Sequence, residues 1–257
     1  MPVNEFTDYR GSFYLFGRTD CDFPYYRENP DGFSLTAWFV VLASVAVSFL
    51  ALMKTQPVFH SGLSGFIPPL LFVLIPLGAL AAVGGLGAPL ALFRPLRGKD
   101  IGIILLFFIL NAIITVAVGT LITGIFHTTA NPAGNLLASA SGADKLLFFG
   151  WTGVQLLGEE IFTVLIFLGA MALLGRSMSR KVALWVAALV AAIIFAMVHL
   201  PTYQWNVGQA LVGLVPIRLV LLLPYIITRN IWTSTGVHVL NDWTIFGLSA
   251  VAGSDAG

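Results

Sequence analysis

Glu159 and Glu160 stand side by side near the middle of an apolar run from about Leu146 to Leu174. That run is long enough to cross a bilayer with some tilt or overhang. An ionised acid at mid-membrane costs roughly 2.5–3.5 kcal/mol even on lenient insertion scales. A segment that served only as an anchor would gain by losing both, so the pair reads as a functional site whose partners must be found. Of the twelve acids in the chain, only Glu159, Glu160 and Asp242 lie within apolar segments. Of the four histidines, only His199 and His238 lie in such segments or at their edge. One base, Arg218, sits inside a segment. All of these fall in the C-terminal half of the spans, which argues for one shared cavity.

The residue types name a chemistry. A carboxylate removed from bulk water is a better proton acceptor, suited to taking a proton from a water molecule. A nearby imidazole can hold that water or relay the proton. A second histidine with an Asn or Asp on the next helix could supply donors to a developing oxyanion. Together these groups describe amide hydrolysis by activated water. There is no G-x-S-x-G elbow and no H-E-x-x-H helix in the chain. A serine–lysine mechanism is disfavoured because no lysine lies inside a span. A paired-aspartate mechanism lacks its second membrane aspartate, since only Asp242 exists.

The elements that must position these groups follow from hydropathy. The chain is 58% hydrophobic and 10% charged, with a mean hydropathy of +0.91. A soluble domain is about a quarter charged, so the expected class is an all-α, polytopic membrane bundle of seven or eight transmembrane helices. Residues 1–34 form a polar N-terminal segment, with Phe13, Tyr14, Phe16, Tyr25 and Tyr26 as candidate interface anchors. An N-terminal transmembrane region covers 35–145, with apolar segments at about 35–53, 65–92 and 101–126. The second segment holds Pro76 and the Gly84–Gly85 pair and is expected to be kinked or broken. The core transmembrane region, 146–250, holds segments at about 146–174, 181–199, 207–228 and 231–250.

Heights within the membrane can be counted from the loops. Glu159 precedes Arg176 by seventeen residues and His199 follows Arg180 by nineteen. At about 1.5 Å per residue, both lie roughly 25–29 Å from their common loop. His238 and Asp242 lie only about 14 and 20 Å above Arg229 on the same rise, a looser match. His238, Asn241 and Asp242 share one helix face by their i, i+3, i+4 spacing. Basic residues cluster in alternate loops: Arg94, Arg97 and Lys99; Arg176, Arg180 and Lys181; and Arg229. The other face keeps only Lys54 and Lys145 in its loops. The positive-inside rule makes the first face, and with it the N-terminus, cytoplasmic. Length and a bare core favour a prokaryotic inner membrane. Near-neutral charge gives no nucleic-acid surface, and the single Cys21 excludes an intramolecular disulfide and a multi-cysteine metal cluster.

Three stretches carry a resemblance. Glu159-Glu160, then Phe195-Ala196-Met197-Val198-His199, then His238-Val239-Leu240-Asn241-Asp242 resemble, in order and spacing, the EExxxR, FxxxH and HxxxN/D motifs of the CPBP family. That family comprises CAAX prenyl proteases and the bacteriocin-processing or Abi-like proteins. The resemblance covers roughly 150–245. It implies a metal-independent, glutamate-dependent intramembrane endopeptidase acting on a membrane-associated peptide, either prenylated or a leader. Glu159 would be the general base, His199 its water-positioning partner, and His238 with Asp242 the oxyanion-stabilising pair. Two departures stand out. Val164 occupies the position of the motif arginine, leaving Glu160 without its cation one turn away. Arg218, the only intramembrane base, is the candidate substitute. Asp242 stands where many relatives carry Asn. An ionised Asp cannot donate, so it must be protonated, orient His238, or cede the role to Asn241.

Three other functions compete. An inactive scaffold, immunity or regulatory protein is raised by Val164. Zinc on His199, His238 and a glutamate is permitted by ligand type, but no ligand pair occupies one helix turn and the resemblance argues for no cofactor. A proton-coupled transporter uses similar residues, yet no inverted repeat is evident.

Overall fold

A computed structural model describes residues 22–26, 32–129, 137 and 141–254. Among the described residues it is all helical, with seven α-helices and two short 3-10 turns. The helices are α1 (Leu35–Thr55), α2 (Ile67–Gly84), α3 (Gly98–Ile125), α4 (Gly142–Leu174), α5 (Arg180–Val198), α6 (Val207–Thr228) and α7 (Ile231–Ser254). Polar caps set several starts. Ser34 accepts from the Ala37 backbone N–H, Ser141 from Asp144, and Asn206 from Gln209.

The second apolar segment is one span and not two. A 3-10 turn, Gly62–Phe66, leads into α2, with Pro68 and Pro69 in the first turn, where a missing N–H costs nothing. Pro76 lies inside the helix without ending it. The break comes at Gly85, whose φ of +80° suits glycine alone, and residues 89–92 form a separate 3-10 turn. The expected single stretch to 92 therefore stops at Gly84.

Among the described residues six helices are long and apolar enough to cross a membrane; α7 is not one of them. Its first half carries Thr233, Ser234, Thr235, His238, Asn241 and Asp242, which lower its hydropathy. Such a helix is tolerated in lipid only when its polar face turns inward, and Thr233, Ser234, His238 and Asn241 are all buried.

The organising helix is α4. Its most apolar window is 72% buried, against 22% to 44% in the other five spans. It packs on α1, α2, α5, α6 and α7, while α3 lies outside, against α6 and α7. Close approach of α2 is fixed at Gly158, where a Cβ would stand 2.5 Å from Cδ1 of Phe72. That glycine precedes Glu159, so the helix contact also locates the acid.

The N-terminal segment is tied in more deeply than an interface anchor would be. Phe23 and Tyr25 are buried, Phe23 packs edge-on against Phe167, and Tyr25 stacks on Phe33 with centroids 4.4 Å apart. Asp22 pairs with Arg180, and Tyr26 sits beside the Arg180 guanidinium. Phe13, Tyr14, Phe16 and Cys21 lie outside the described residues.

Candidate active site

The α6–α7 connection decides where α7 enters. Arg229 takes a left-handed conformation, φ +50°, that ends α6. Arg229 and Asn230 are both buried, and the Arg229 guanidinium lies 5.0 Å from the Phe23 ring. Asn230 accepts from the Arg94 backbone N–H at 3.1 Å and donates to the Arg94 carbonyl at 3.0 Å. The turn is thus sunk into the bundle, and α7 starts deeper than a surface loop would allow. His238 reaches both Glu159 and Glu160, so the height gap counted from Arg229 does not keep them apart.

Three helices then meet in a dry cluster. Glu160 on α4 and Arg218 on α6 are both fully buried, with Arg218 Nη2 2.6 Å from Glu160 Oε1. His238 on α7 donates from Nδ1 to the same oxygen at 2.8 Å. Arg218 Nη1 lies 3.3 Å from that Nδ1. The Phe195 ring lies under the guanidinium, 4.5 Å from its Cζ. Val164, where the motif arginine would stand, is fully buried in the apolar core. The cation beside Glu160 comes instead from the neighbouring helix α6.

One residue earlier the surroundings change. A step of about 100° around the helix turns Glu159 away from Arg218 and into open space. It lines two adjoining cavities of about 250 and 330 Å³, sharing both with Phe195, His199, Asp242 and Phe246. Gln155, one turn earlier, donates to Glu159 Oε1 at 3.2 Å. With Nδ1 occupied by Glu160, His238 presents Nε2 to the cavity side, 3.8 Å from Glu159 Oε2 and 3.7 Å from Asp242 Oδ2. His238 is therefore held between carboxylates, a different setting from a free oxyanion donor beside Asp242.

His199 caps the C-terminal end of α5. Its Nδ1 donates to the Phe195 carbonyl at 2.8 Å, which leaves Nε2 to serve the cavity. Among the described residues there is no direct bond between His199 and Glu159; they share walls across open volume. Asn241 donates to Asp242 Oδ1 at 2.9 Å, so part of its amide is committed to that neighbour. Among the described residues no group of three or more His, Cys, Asp or Glu side chains has a metal-binding arrangement.

Several cavity residues are not marked by the sequence motifs, Thr115, Tyr203 and Gln155 among them. Thr115 reaches the larger cavity from α3, its hydroxyl buried and without a hydrogen-bond partner among the described residues. Tyr203 lines the same cavity from the α5–α6 loop. Burial, together with the charges of Asp242 and Glu159, pushes its phenol up to about 12, so it remains a hydrogen-bond donor. Two consecutive left-handed residues, Gln204 and Trp205, follow it, with φ of +52° and +63°. The Trp205 backbone N–H closes the loop onto the Leu200 carbonyl at 2.8 Å. Strain of this kind in non-glycine residues persists where surrounding contacts over-determine the loop. Gln155 had a readable signal, its i, i+4 spacing to Glu159; a loop tyrosine had none.

Residues 142–244 match the family model described as type II CAAX prenyl endopeptidase, Rce1-like. The C-terminal helical core is similar to that family over this stretch. The match runs from the start of α4 into α7 and includes every residue of the Glu160 cluster and the Glu159 cavity wall contributed by α4 to α7 up to Thr244. No curated protein and no solved structure matches the chain. With six such helices among the described residues and a core similar to a membrane-protease family, the protein is an integral, multi-pass membrane protein.

Proposed function

We propose that the protein is a glutamate-dependent intramembrane endopeptidase that cleaves a membrane-associated peptide with base-activated water. The observation carrying this reading is the contrast in environment between the two adjacent acids. Glu159 faces a cavity shared with His199 and Asp242, while its neighbour is locked in an ion pair behind it. In this reading water lies between the Glu159 carboxylate and His199 Nε2. Glu159 takes its proton, and the hydroxide attacks the peptide carbonyl. The proton then passes from Glu159 to the leaving amine as the C–N bond breaks. Asp242, when ionised, cannot donate to the oxyanion. Tyr203 can, because its hydroxyl keeps its proton and has no hydrogen-bond partner among the described residues. Glu160 and Arg218 hold His238, which buttresses Glu159, and they are positioning residues.

No step of this scheme needs a metal or other cofactor. The proposed setting is a prokaryotic inner membrane with the N-terminus in the cytoplasm. The experiment is cleavage of a membrane-inserted reporter peptide by purified, reconstituted protein, with and without a chelator. Cleavage that survives chelation and is lost in Glu159→Gln and His199→Ala supports the reading. Loss on chelation would favour zinc. Biological output unchanged in both variants would favour a scaffold that kept the fold.

A further inference from the structure

The hydrolase reading leaves open which side of the membrane the substrate comes from, and the position of the cavity bears on that. The smaller cavity runs between the C-terminal end of α1, at Met53 and Gln56, the first third of α4, at Phe148 and Trp151, and Thr202 in the α5–α6 loop. All three places lie at the same end of the bundle, since consecutive helices alternate direction. The connections at that end, 56–61, 126–141 and 199–206, contain no lysine or arginine. Lys54 and Lys145, in the adjoining helix ends, are the only such bases there. The opposite end carries Arg94, Arg97, Lys99, Arg176, Arg180, Lys181 and Arg229. A bias of this size in short loops sets orientation and assigns the basic end to the cytoplasm.

The lining adds a second, independent constraint. The smaller cavity is walled mainly by aromatic and apolar side chains with a few neutral polar ones, and its acids are Glu159 and Asp242. A peptide ending in a free carboxylate next to the scissile bond would bring a further acid to this wall, which has no lysine or arginine to receive it and whose one histidine, His199, has Nδ1 committed to the Phe195 carbonyl. In the larger cavity Arg218 is already committed to Glu160, and of its two histidines His238 bonds Glu160 and lies beside Glu159 and Asp242. Like charges crowded in a poorly solvated space repel strongly.

From these two observations we infer that the reactive cavity opens to the extracytoplasmic side and takes an internal bond of an apolar, membrane-anchored or exported peptide, rather than a bond near a free C-terminus presented from the cytoplasm. This rests on the hydrolase reading for the word "substrate" but not for the sidedness. The water that attacks then enters from the outer aqueous phase, along Gln56 and Thr202.

The test uses the chain's single cysteine as an internal control. Cys21 adjoins Asp22, which is tied to Arg180 at the basic end. Val58→Cys, at a position 68% exposed in the 56–61 loop, and Thr202→Cys, on the cavity wall, report the other end. In intact cells a membrane-impermeant maleimide should shift the gel mobility of both variants by one label, while wild-type protein shifts only after permeabilisation. Labelling of Cys21 from outside, or of Val58→Cys only after permeabilisation, overturns the sidedness. In reconstituted protein an apolar peptide with an amidated C-terminus should be cut at an internal bond at least as fast as its free-carboxylate form. Dependence of cleavage on the free carboxylate overturns the substrate class. Cleavage of neither peptide overturns that class together with the hydrolase reading, while the labelling pattern still decides the sidedness.

Discussion

Glu159 and Glu160 share a helix, a side-chain type and a depth in the membrane, yet they occupy opposite environments. The Glu160 side chain is 0% exposed and has a guanidinium 2.6 Å away; the Glu159 side chain is 13% exposed and faces open volume. The difference arises from geometry alone, because one residue is about 100° of helix rotation. It shows how a helix can place a fixed charge and a reactive one in consecutive positions. The buried pair anchors α4, α6 and α7, and the exposed acid is then held against the cavity. A buried pair of this kind is weak support for stability in itself, but removing one partner is costly, because the other is left uncompensated.

Breaking this contrast should give effects that separate cleanly. The largest expected effect is on rate. Glu159→Gln should lower kcat by about 10²–10⁴, the contribution of a positioned general base, with the melting temperature unchanged. Tyr203→Phe keeps the ring and removes one donor. It should lower kcat by about 10²–10³ with little change in KM, as for loss of an oxyanion donor. A merely packed tyrosine would leave both constants alone.

The next effects are on stability. Arg218→Met should destabilise the fold by about 3–5 kcal/mol, read by thermal or denaturant unfolding in detergent, because Glu160 is left buried and unpaired. The double variant Glu160→Gln with Arg218→Met should recover much of that loss; failure to recover would mean that the pair does not act as a unit. The smallest effect concerns the scaffold beneath both acids. Gly158→Ala puts a Cβ 2.5 Å from the Phe72 ring. It should cost about 1–3 kcal/mol, as overpacking does, and shift Glu159 enough to reduce the rate.

Much of this arrangement is readable from the chain. Apolar runs delimit the helices to within a few residues, except at the C-terminal end of α2, which stops at Gly84 rather than 92. The contact of Arg218 with Glu160 is also legible. With one base and so few acids in the spans, the cost of an isolated buried charge leaves little choice of partner. Other features were not legible. The α6–α7 turn is held by bonds from the Asn230 side-chain amide to the Arg94 backbone, residues 136 apart in sequence, and no local pattern announces such a pairing. Tyr203 sits in a loop shaped by two left-handed residues, where no periodicity says which way a ring points. The deep burial of Phe23 and Tyr25 was hidden by the polar composition around them, which reads as a surface segment.

The central claim is that one of two adjacent acids does chemistry while the other holds the bundle together. The most direct measurement pairs a cleavage rate with a melting curve for Glu159→Gln and Glu160→Gln, in one reconstituted preparation. The account predicts lost cleavage with an unchanged melt for the first, and a lowered melt for the second, whose surviving folded fraction retains more activity. Retained cleavage in Glu159→Gln, or equal loss of stability in both variants, would contradict it.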